Sequence, residues 1–486
     1  MWTESAQQQQ HHNIDGKMMV RSPSKIVLMI AIVYTIVVDG FSTRNLGVRY
    51  SKMGLKMYCE GTTASPSTIK IPESPAESLE SLRIKQKRDT TTIGDLIVPS
   101  VGIGTISWSS KSLTTLENLE LQTLVNEACQ SNSGALFDTA ERYGSHIKTA
   151  LGLGWGETET LLNKFLARRT AAANAGIDGR EYIGHDEEQS SPYPVVATKF
   201  TPSPWRTTVE SVVEACEQSR QRLGVEQIDL YQLHMPDIVQ PLRFLGMGAP
   251  KDEIYWEGMV ECYRRGLVKN IGVSNYGPTL VTRCQDFLGK RNVSLSSNQI
   301  AYSLIGRQNG AEDTLVKCSE LGVKVLAYYP FAMGLLTGKY SPELLMSDST
   351  AAETITKTTS LTSSQRSNLE LKDLKRYAQG DGSGIPEGGI TPLLQTMQSI
   401  ATANGKTISQ VALNYIICKG AIPIPGARSV TQWRDNEGAM GWRLSDGDMN
   451  TLEDAACRLG FDFEGAGFKR TSEKFVGYGV EKWSLN

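Results

Sequence analysis

Residues 195–234 read VVATKFTPSPWRTTVESVVEACEQSRQRLGVEQIDLYQLH. The short apolar run VVATKF (195–200) leads into a polar loop. VESVVEACEQSRQRL (209–223) then spaces its apolar residues as a helix does, and IDLYQLH (228–234) is apolar again. Strand, helix and strand in that order imply two parallel strands joined by a crossover helix. Strands that are apolar without alternation imply a sheet buried on both faces.

Outward from this unit the same period recurs. VGIGTI (101–106) and ALFDT (135–139) precede it. KNIGVS (269–274), SSNQIA (296–301), VKVLAYY (323–329) and AIPIPG (421–426) follow, with helical stretches such as LENLELQTLVNEACQ and EIYWEGMVECYRRG between strands. That makes eight strands, and eight βα units close into an α/β (β/α)8 TIM barrel. An open doubly wound sheet is the competing arrangement of the same units. IGDLIV (93–98) reads as part of an N-terminal hairpin plugging the barrel bottom. The barrel with a C-terminal helical extension takes residues 91–486. Loops near 184–192 and 341–390 are too long for plain connections. Between Ser341 and Leu369, 13 of 29 residues are Ser or Thr, a composition of lids or disordered segments.

Ahead of the barrel the chain reads as an address. IVLMIAIVYTIVV (26–38) follows Lys17, Arg21 and Lys25 and has the length of a signal-peptide core, so 1–41 is signal-peptide-like. After Gly40-Phe41, the stretch from Ser42 to Tyr58 carries Arg44, Arg49, Lys52 and Lys56 and no acid, which is transit-peptide chemistry. Residues 42–90 read as transit peptide and a Pro/Ser/Glu-rich linker. Signal, Phe and transit segment together resemble the bipartite presequence of proteins sent to secondary plastids (chloroplasts). A membrane anchor or a plain secretory signal are the alternatives.

Composition narrows the function. Lys+Arg 50 against Asp+Glu 52 gives a net charge of −2, so there is no electrostatic footprint for nucleic acid. Eight Cys with no C-x-x-C spacing, and five His, argue against a metal site or a disulfide framework and for a reducing compartment. The mature form is expected to be a monomer without stable membrane association.

In a barrel the chemistry sits at the C-terminal strand ends. Those ends carry Asp138 with Tyr143 five residues on, then Lys199, His234, Ser274-Asn275, Gln299 on the sixth strand, and Tyr328. Singly each has a dull explanation: solvent for the Lys, a satisfied core position for the His, packing for the Tyr. Jointly they point to one mouth. A phenol titrates near ~10, a neighbouring ammonium would lower it, and a carboxylate would hold that ammonium. Tyr143, Lys199 and Asp138 could form that relay, with His234 orienting a carbonyl. Such a set protonates a carbonyl oxygen but has no electron source, so a cofactor is needed.

FDTAERYG (137–144), VVATKF, LYQLH, IGVSN, NQIAYSL, AYYPFAMGLLTGKY (327–340) and IPIPGARS (422–429), in that order, resemble the aldo-keto reductase superfamily over about Ile93 to Gly460. The pattern is nearest to plant-type plastid aldo/keto reductases, through Pro204-Trp205 and GAMGWRLSD (438–446). The resemblance implies Asp138, Tyr143, Lys199 and His234 as the catalytic tetrad, an NADPH/NADP cofactor and a small-molecule carbonyl substrate, such as pyridoxal or reactive aldehydes. It implies Ser274, Asn275 and Gln299 at the nicotinamide carboxamide and Tyr328 stacked on its ring. Thr105, Phe331, Gly334 and Leu336 join the cofactor set. Arg428 and Ser429 fall at the 2′-phosphate, and Gln432 and Asn436 at the adenosine, with Asp435 where Glu is commoner. Trp108 and Trp205, with the loop 144–156, are candidates for a substrate wall. GIGTIS (102–107) and GLLTGKY (334–340) depart from the dinucleotide and P-loop fingerprints and are set aside. An NADPH-sensing regulatory subunit of the same fold is the alternative to an enzyme.

Overall fold

The computed structural model describes residues 88–109, 113–144, 155–174, 194–203, 205–237, 251–307, 310–339 and 388–460. The signal-like segment, the transit and linker segment up to residue 87, most of the loop 144–156, Pro204, the segments 184–192 and 341–387, and the tail 461–486 lie outside the described residues.

From Asp89 the chain forms a hairpin, β1 (Thr90–Ile93) and β2 (Leu96–Pro99). Strands and helices then alternate: β3 (Ile103–Gly104), α1 (Thr115–Cys129), β4 (Leu136–Asp138), α2 (Glu157–Asn174), β5 (Val195–Phe200), α3 (Val209–Leu223), β6 (Ile228–Leu233), α4 (Asp252–Arg264), β7 (Val268–Ser274), α5 (Pro278–Gly289), β8 (Leu295–Ala301), α6 (Ala311–Glu320) and β9 (Lys324–Tyr328). Two helices, α7 (Thr391–Asn404) and α8 (Ile408–Cys418), precede β10 (Ile422–Pro423). α9 (Val430–Glu437) follows it, and α10 (Asp446–Cys457) is the C-terminal extension. The helix starts are written locally. Thr114, Thr208, Thr407 and Ser445 each cap a helix while the side chain three residues on returns a bond to the cap backbone.

β3 to β10 pair in chain order, each parallel to the next. A doubly wound sheet would reverse its strand order; this one instead returns to its start. Gly104 bridges Gly426 in parallel, and the amides of Gly102 and Gly104 donate to the carbonyls of Pro423 and Pro425 at 2.9 Å. The ring is a closed (β/α)8 barrel. Its seam is thin because the prolines of IPIPG have no N–H to give and can only accept. Gly104 lets the two strands come close here: a Cβ would lie 3.2 Å from the Ile424 carbonyl oxygen, a tight approach to backbone.

The hairpin stops one end of the barrel. Ile93, Leu96 and Val98 pack with Leu136, Leu230, Leu326 and Ile422. Its turn is held by Gly94 at φ +59°, where a Cβ would run into Asn270. The fold also reaches back beyond the expected start at 91. The buried Asp89 carboxylate accepts from Ser100 Oγ at 2.7 Å, the Gly441 amide at 2.8 Å and Arg443 Nη1 and Nη2 at 2.6 and 2.7 Å. Burial by itself would raise this carboxyl, but Arg443, Gly441 and Ser100 outweigh it and hold it down at about 2.

Candidate active site

β4 and β5 run side by side, and their registers put Asp138 and Lys199 at adjoining C-terminal ends. Lys199 is fully buried, with its ammonium 2.7 Å from Asp138 Oδ2, 2.7 Å from the Thr139 carbonyl and 3.3 Å from Tyr143 Oη. An ammonium has three hydrogens and no lone pair, so all three are spent here. Tyr143 Oη must therefore accept from Lys199, and its own proton turns away from the ammonium.

The expected lowering of the Tyr143 phenol is not what the site produces. Burial pushes its pKa well above the ordinary value, and the negative charge of Asp138 pushes the same way. Desolvation disfavours phenolate more than the ammonium favours it, so Tyr143 stays protonated at neutral pH. Burial also lowers Lys199, with Asp138 opposing that shift. His234 is held well below its usual range by burial, and the positive charges of Lys199 and Arg142 add to it. Its imidazole is neutral, with one N–H to donate. Thr201 Oγ1 lies 3.4 Å from its Nδ1, and its ring stands edge-on to Tyr143, centroids 5.9 Å apart.

Asp138, Tyr143 and His234 line a cavity of about 390 Å³, and Lys199 is not part of its lining. Ser274, Asn275, Gln299 and Tyr328 line it next, and they are wired to the tetrad. Gln299 Nε2 donates to Asp138 Oδ1 at 2.7 Å. Asn275 Nδ2 donates to the His234 carbonyl at 3.0 Å, and Tyr328 Oη to Asn275 Oδ1 at 2.8 Å. Asn275 sits at φ 65°, a left-handed conformation that Asn tolerates. Phe331 and Gly334 line the cavity from the turn after β9, where Tyr329, Ala332, Met333 and Gly334 all have positive φ. Arg428, Gln432 and Asn436 line it as well.

Six expected residues are absent from the cavity lining: Lys199, Thr105, Leu336, Ser429, Trp108 and Trp205. Thr105 is buried, and its hydroxyl donates to the Asp138 carbonyl at 3.0 Å, so it fastens the end of β4. Leu336 packs in the core. Ser429 caps α9 by accepting from the Gln432 amide at 3.2 Å. Trp108 is no substrate wall: it is 1% exposed, edge-on to Phe137 and Phe165, and its indole N–H donates to the Ala427 carbonyl at 2.7 Å. Trp205 is 47% exposed and lies outside the cavity lining. Ile106, Met235 and Tyr329 stand at the cavity instead.

Sequence reading also missed the struts behind the site. Glu141, two residues before Tyr143, accepts from the Thr201 amide at 2.6 Å and from Arg206 Nη2 at 3.1 Å. The Arg206 guanidinium lies over the Trp155 ring, 4.7 Å from its centroid. Glu159, buried beneath, takes Thr198 Oγ1 and Arg222 Nε, each at 2.6 Å. An acid beside the tyrosine was visible in AERYG; its partner Arg206, 65 residues away, carried no local signal.

The aldo/keto reductase family model matches residues 100–456. A chloroplastic pyridoxal reductase of Arabidopsis thaliana is 35% identical over 371 residues, 75% of this chain and 85% of that protein. An uncharacterized oxidoreductase of Mycobacterium tuberculosis is 31% identical over 324 residues, 66% of this chain and 77% of its own length. Among solved structures, an aldo-keto reductase of the silkworm Bombyx mori, solved with NADPH, aligns with a TM-score of 0.53 at 19% identity, covering 82% of this chain and 95% of that one. A glycerol dehydrogenase of Gluconobacter oxydans aligns with a TM-score of 0.53 at 20% identity, covering 76% and 96%. At these identities the structures speak for the fold.

Proposed function

The chain belongs to the aldo/keto reductase family, and from that premise we propose that it is an NADP-dependent oxidoreductase that reduces an aldehyde or ketone to an alcohol. The observation that carries this reading is the saturated Lys199 ammonium, which leaves the proton of a neutral Tyr143 free for a substrate oxygen. Tyr143 is the general acid. The neutral His234 N–H is a second donor to the same oxygen. Asp138 keeps Lys199 charged, and Lys199 stabilises the phenolate left after transfer.

The cavity suits a dinucleotide. Asn275, Ser274 and Gln299 offer amide and hydroxyl partners beside Asp138, His234 and the Tyr328 ring, and Arg428 adds a cation to the same cavity. The Ser107 hydroxyl is buried, lines this cavity and has no partner among the described residues, which is what a missing ligand atom leaves behind. NADPH bound here supplies the hydride. Arg428 would hold the 2′-phosphate, and Gln432 and Asn436 the adenosine.

NADPH oxidation by purified protein across a panel of aldehydes tests the assignment, with pyridoxal included because a relative bears that name. Turnover supports an enzyme. Tight NADPH binding with no turnover of any carbonyl would favour the regulatory-subunit reading. Replacing Arg428 by Ala should weaken NADPH about 10- to 100-fold and NADH little, since a charge-assisted bond is worth about 1.5–3 kcal/mol. Equal losses for both cofactors would place the phosphate elsewhere.

The same reading puts the mature protein in a plastid, supported by the chloroplastic relative and the presequence chemistry. Among the described residues no helix is long and apolar enough to cross a membrane. Residues 1–60 fused to a fluorescent protein should carry it to the plastid, and Phe41→Ala should stall it on the way. A reporter left in the cytosol would refute the targeting proposal and leave the enzyme intact.

A further inference from the structure

Arg428 does not face the cavity alone. Its Nη2 lies 3.1 Å from Oε1 of Glu117 on α1. An acid beside a phosphate subsite is electrostatically wrong for binding, and Glu117 is not there by looseness. Its Oε2 accepts from the backbone amide and the hydroxyl of Thr114, both at 2.9 Å, closing the capping box of α1. One oxygen is thus tied to a helix start while the other meets the guanidinium. The Thr114 hydrogen bonds first, and Arg428 after them, lower the Glu117 carboxyl, so it is ionised at neutral pH. The Arg428 side chain is 19% exposed and that of Glu117 46%, so the pair is wet and exchangeable rather than locked.

We propose that Glu117 is a built-in counter-ion that occupies Arg428 in the absence of cofactor and must be displaced by the 2′-phosphate, so that it weakens NADP(H) binding and speeds its release. The inference rests on the reading that Arg428 takes that phosphate. A phosphate engages the planar fork through two bonds and carries more charge than a carboxylate, so it wins the exchange. Glu117 stays nearby, held by Thr114, as a like charge that keeps the complex from becoming too tight. In enzymes whose turnover is limited by release of the oxidised cofactor, such a competitor raises the rate.

The test uses Glu117→Gln, because glutamine keeps the capping box and removes only the charge. Dissociation constants of NADP+ and NAD+ are measured by fluorescence titration of the full chain for wild type, Glu117→Gln, Arg428→Ala and the double variant. An exposed pair of this kind supports an effect of about two- to fivefold. Glu117→Gln should bind NADP+ about two- to fivefold tighter, leave NAD+ unchanged, and gain less once Arg428 is Ala, where only the direct repulsion of the phosphate is left to relieve. The gain should shrink as salt rises. Unchanged or weaker NADP+ binding in Glu117→Gln, with Arg428→Ala still selective against NADP+, overturns the counter-ion role alone; weaker binding would make Glu117 a support for Arg428. If Arg428→Ala leaves the ratio of the two cofactors untouched, the phosphate assignment falls and the counter-ion with it.

Discussion

Replacing Tyr143 by Phe should lower carbonyl reduction about 10²- to 10⁴-fold and leave NADPH affinity close to that of the wild type. The ring keeps its place, edge-on to His234 and beneath the Lys199 ammonium, whose nitrogen lies 4.9 Å from the ring centroid. Only the hydroxyl goes, and with it the one proton that the Lys199 geometry leaves free. Stopped-flow NADPH oxidation in a single turnover separates the chemical step from release, and a fluorescence titration reports binding. Full turnover in the variant would remove Tyr143 from the acid's role. Residual rate would come from the His234 N–H and from orientation alone.

The second large effect is on stability. Asp138→Ala should destabilise the fold by about 3–5 kcal/mol, the typical cost of stranding one partner of a buried ion pair. Lys199 is fully buried and 2.7 Å from the carboxylate, so its charge would face only the Thr139 carbonyl and the Tyr143 oxygen. Burial already lowers Lys199, and Asp138 is the first group opposing that shift. Without it the amine sheds its proton more readily, Tyr143 loses a charged donor, and activity falls together with stability. Gln299 also loses its acceptor, which frees a side chain that lines the cavity. Urea unfolding is the measurement. A midpoint equal to that of the wild type would mean that the pair adds nothing to the fold.

The strands, and the side chains that follow at their C-terminal ends, were legible because both are local. A βα unit writes its strand as an apolar run and its helix as a periodic one, and the residue at the strand's C-terminal end can be read off directly. VVATKF and IDLYQLH announce Lys199 and His234 in this way. What failed depended on long-range packing. Trp108 looks like a mouth residue from its place after β3, yet its indole is satisfied by Ala427, 319 residues away, and its ring fills the space between Phe137 and Phe165. Leu336 and Ser429 lie in stretches whose neighbours do line the cavity, but one side chain is turned to the core and the other to a helix start. The Tyr143 phenol was misjudged because sequence shows the nearby ammonium but not the depth of burial, and burial dominates. Glu117 was invisible as a partner of Arg428, 311 residues apart.

The clasp between Asp89 and Arg443 joins residues 354 positions apart, and the seam between Gly104 and Gly426 spans nearly as much of the chain. Neither can close while the C-terminal part is still inside the ribosome. Up to then β3 has no neighbour on its open side, and the hairpin stop lacks the late strands it packs against. The nascent chain is therefore an incomplete ring for most of its synthesis, with long loops to close before those contacts repay the ordering. The two ends cannot zip together, at the seam and at the clasp, before the C-terminal part has been made. Folding of this protein should accordingly be slow and post-translational, governed by the arrival of IPIPG and Arg443 rather than by any of the early βα units.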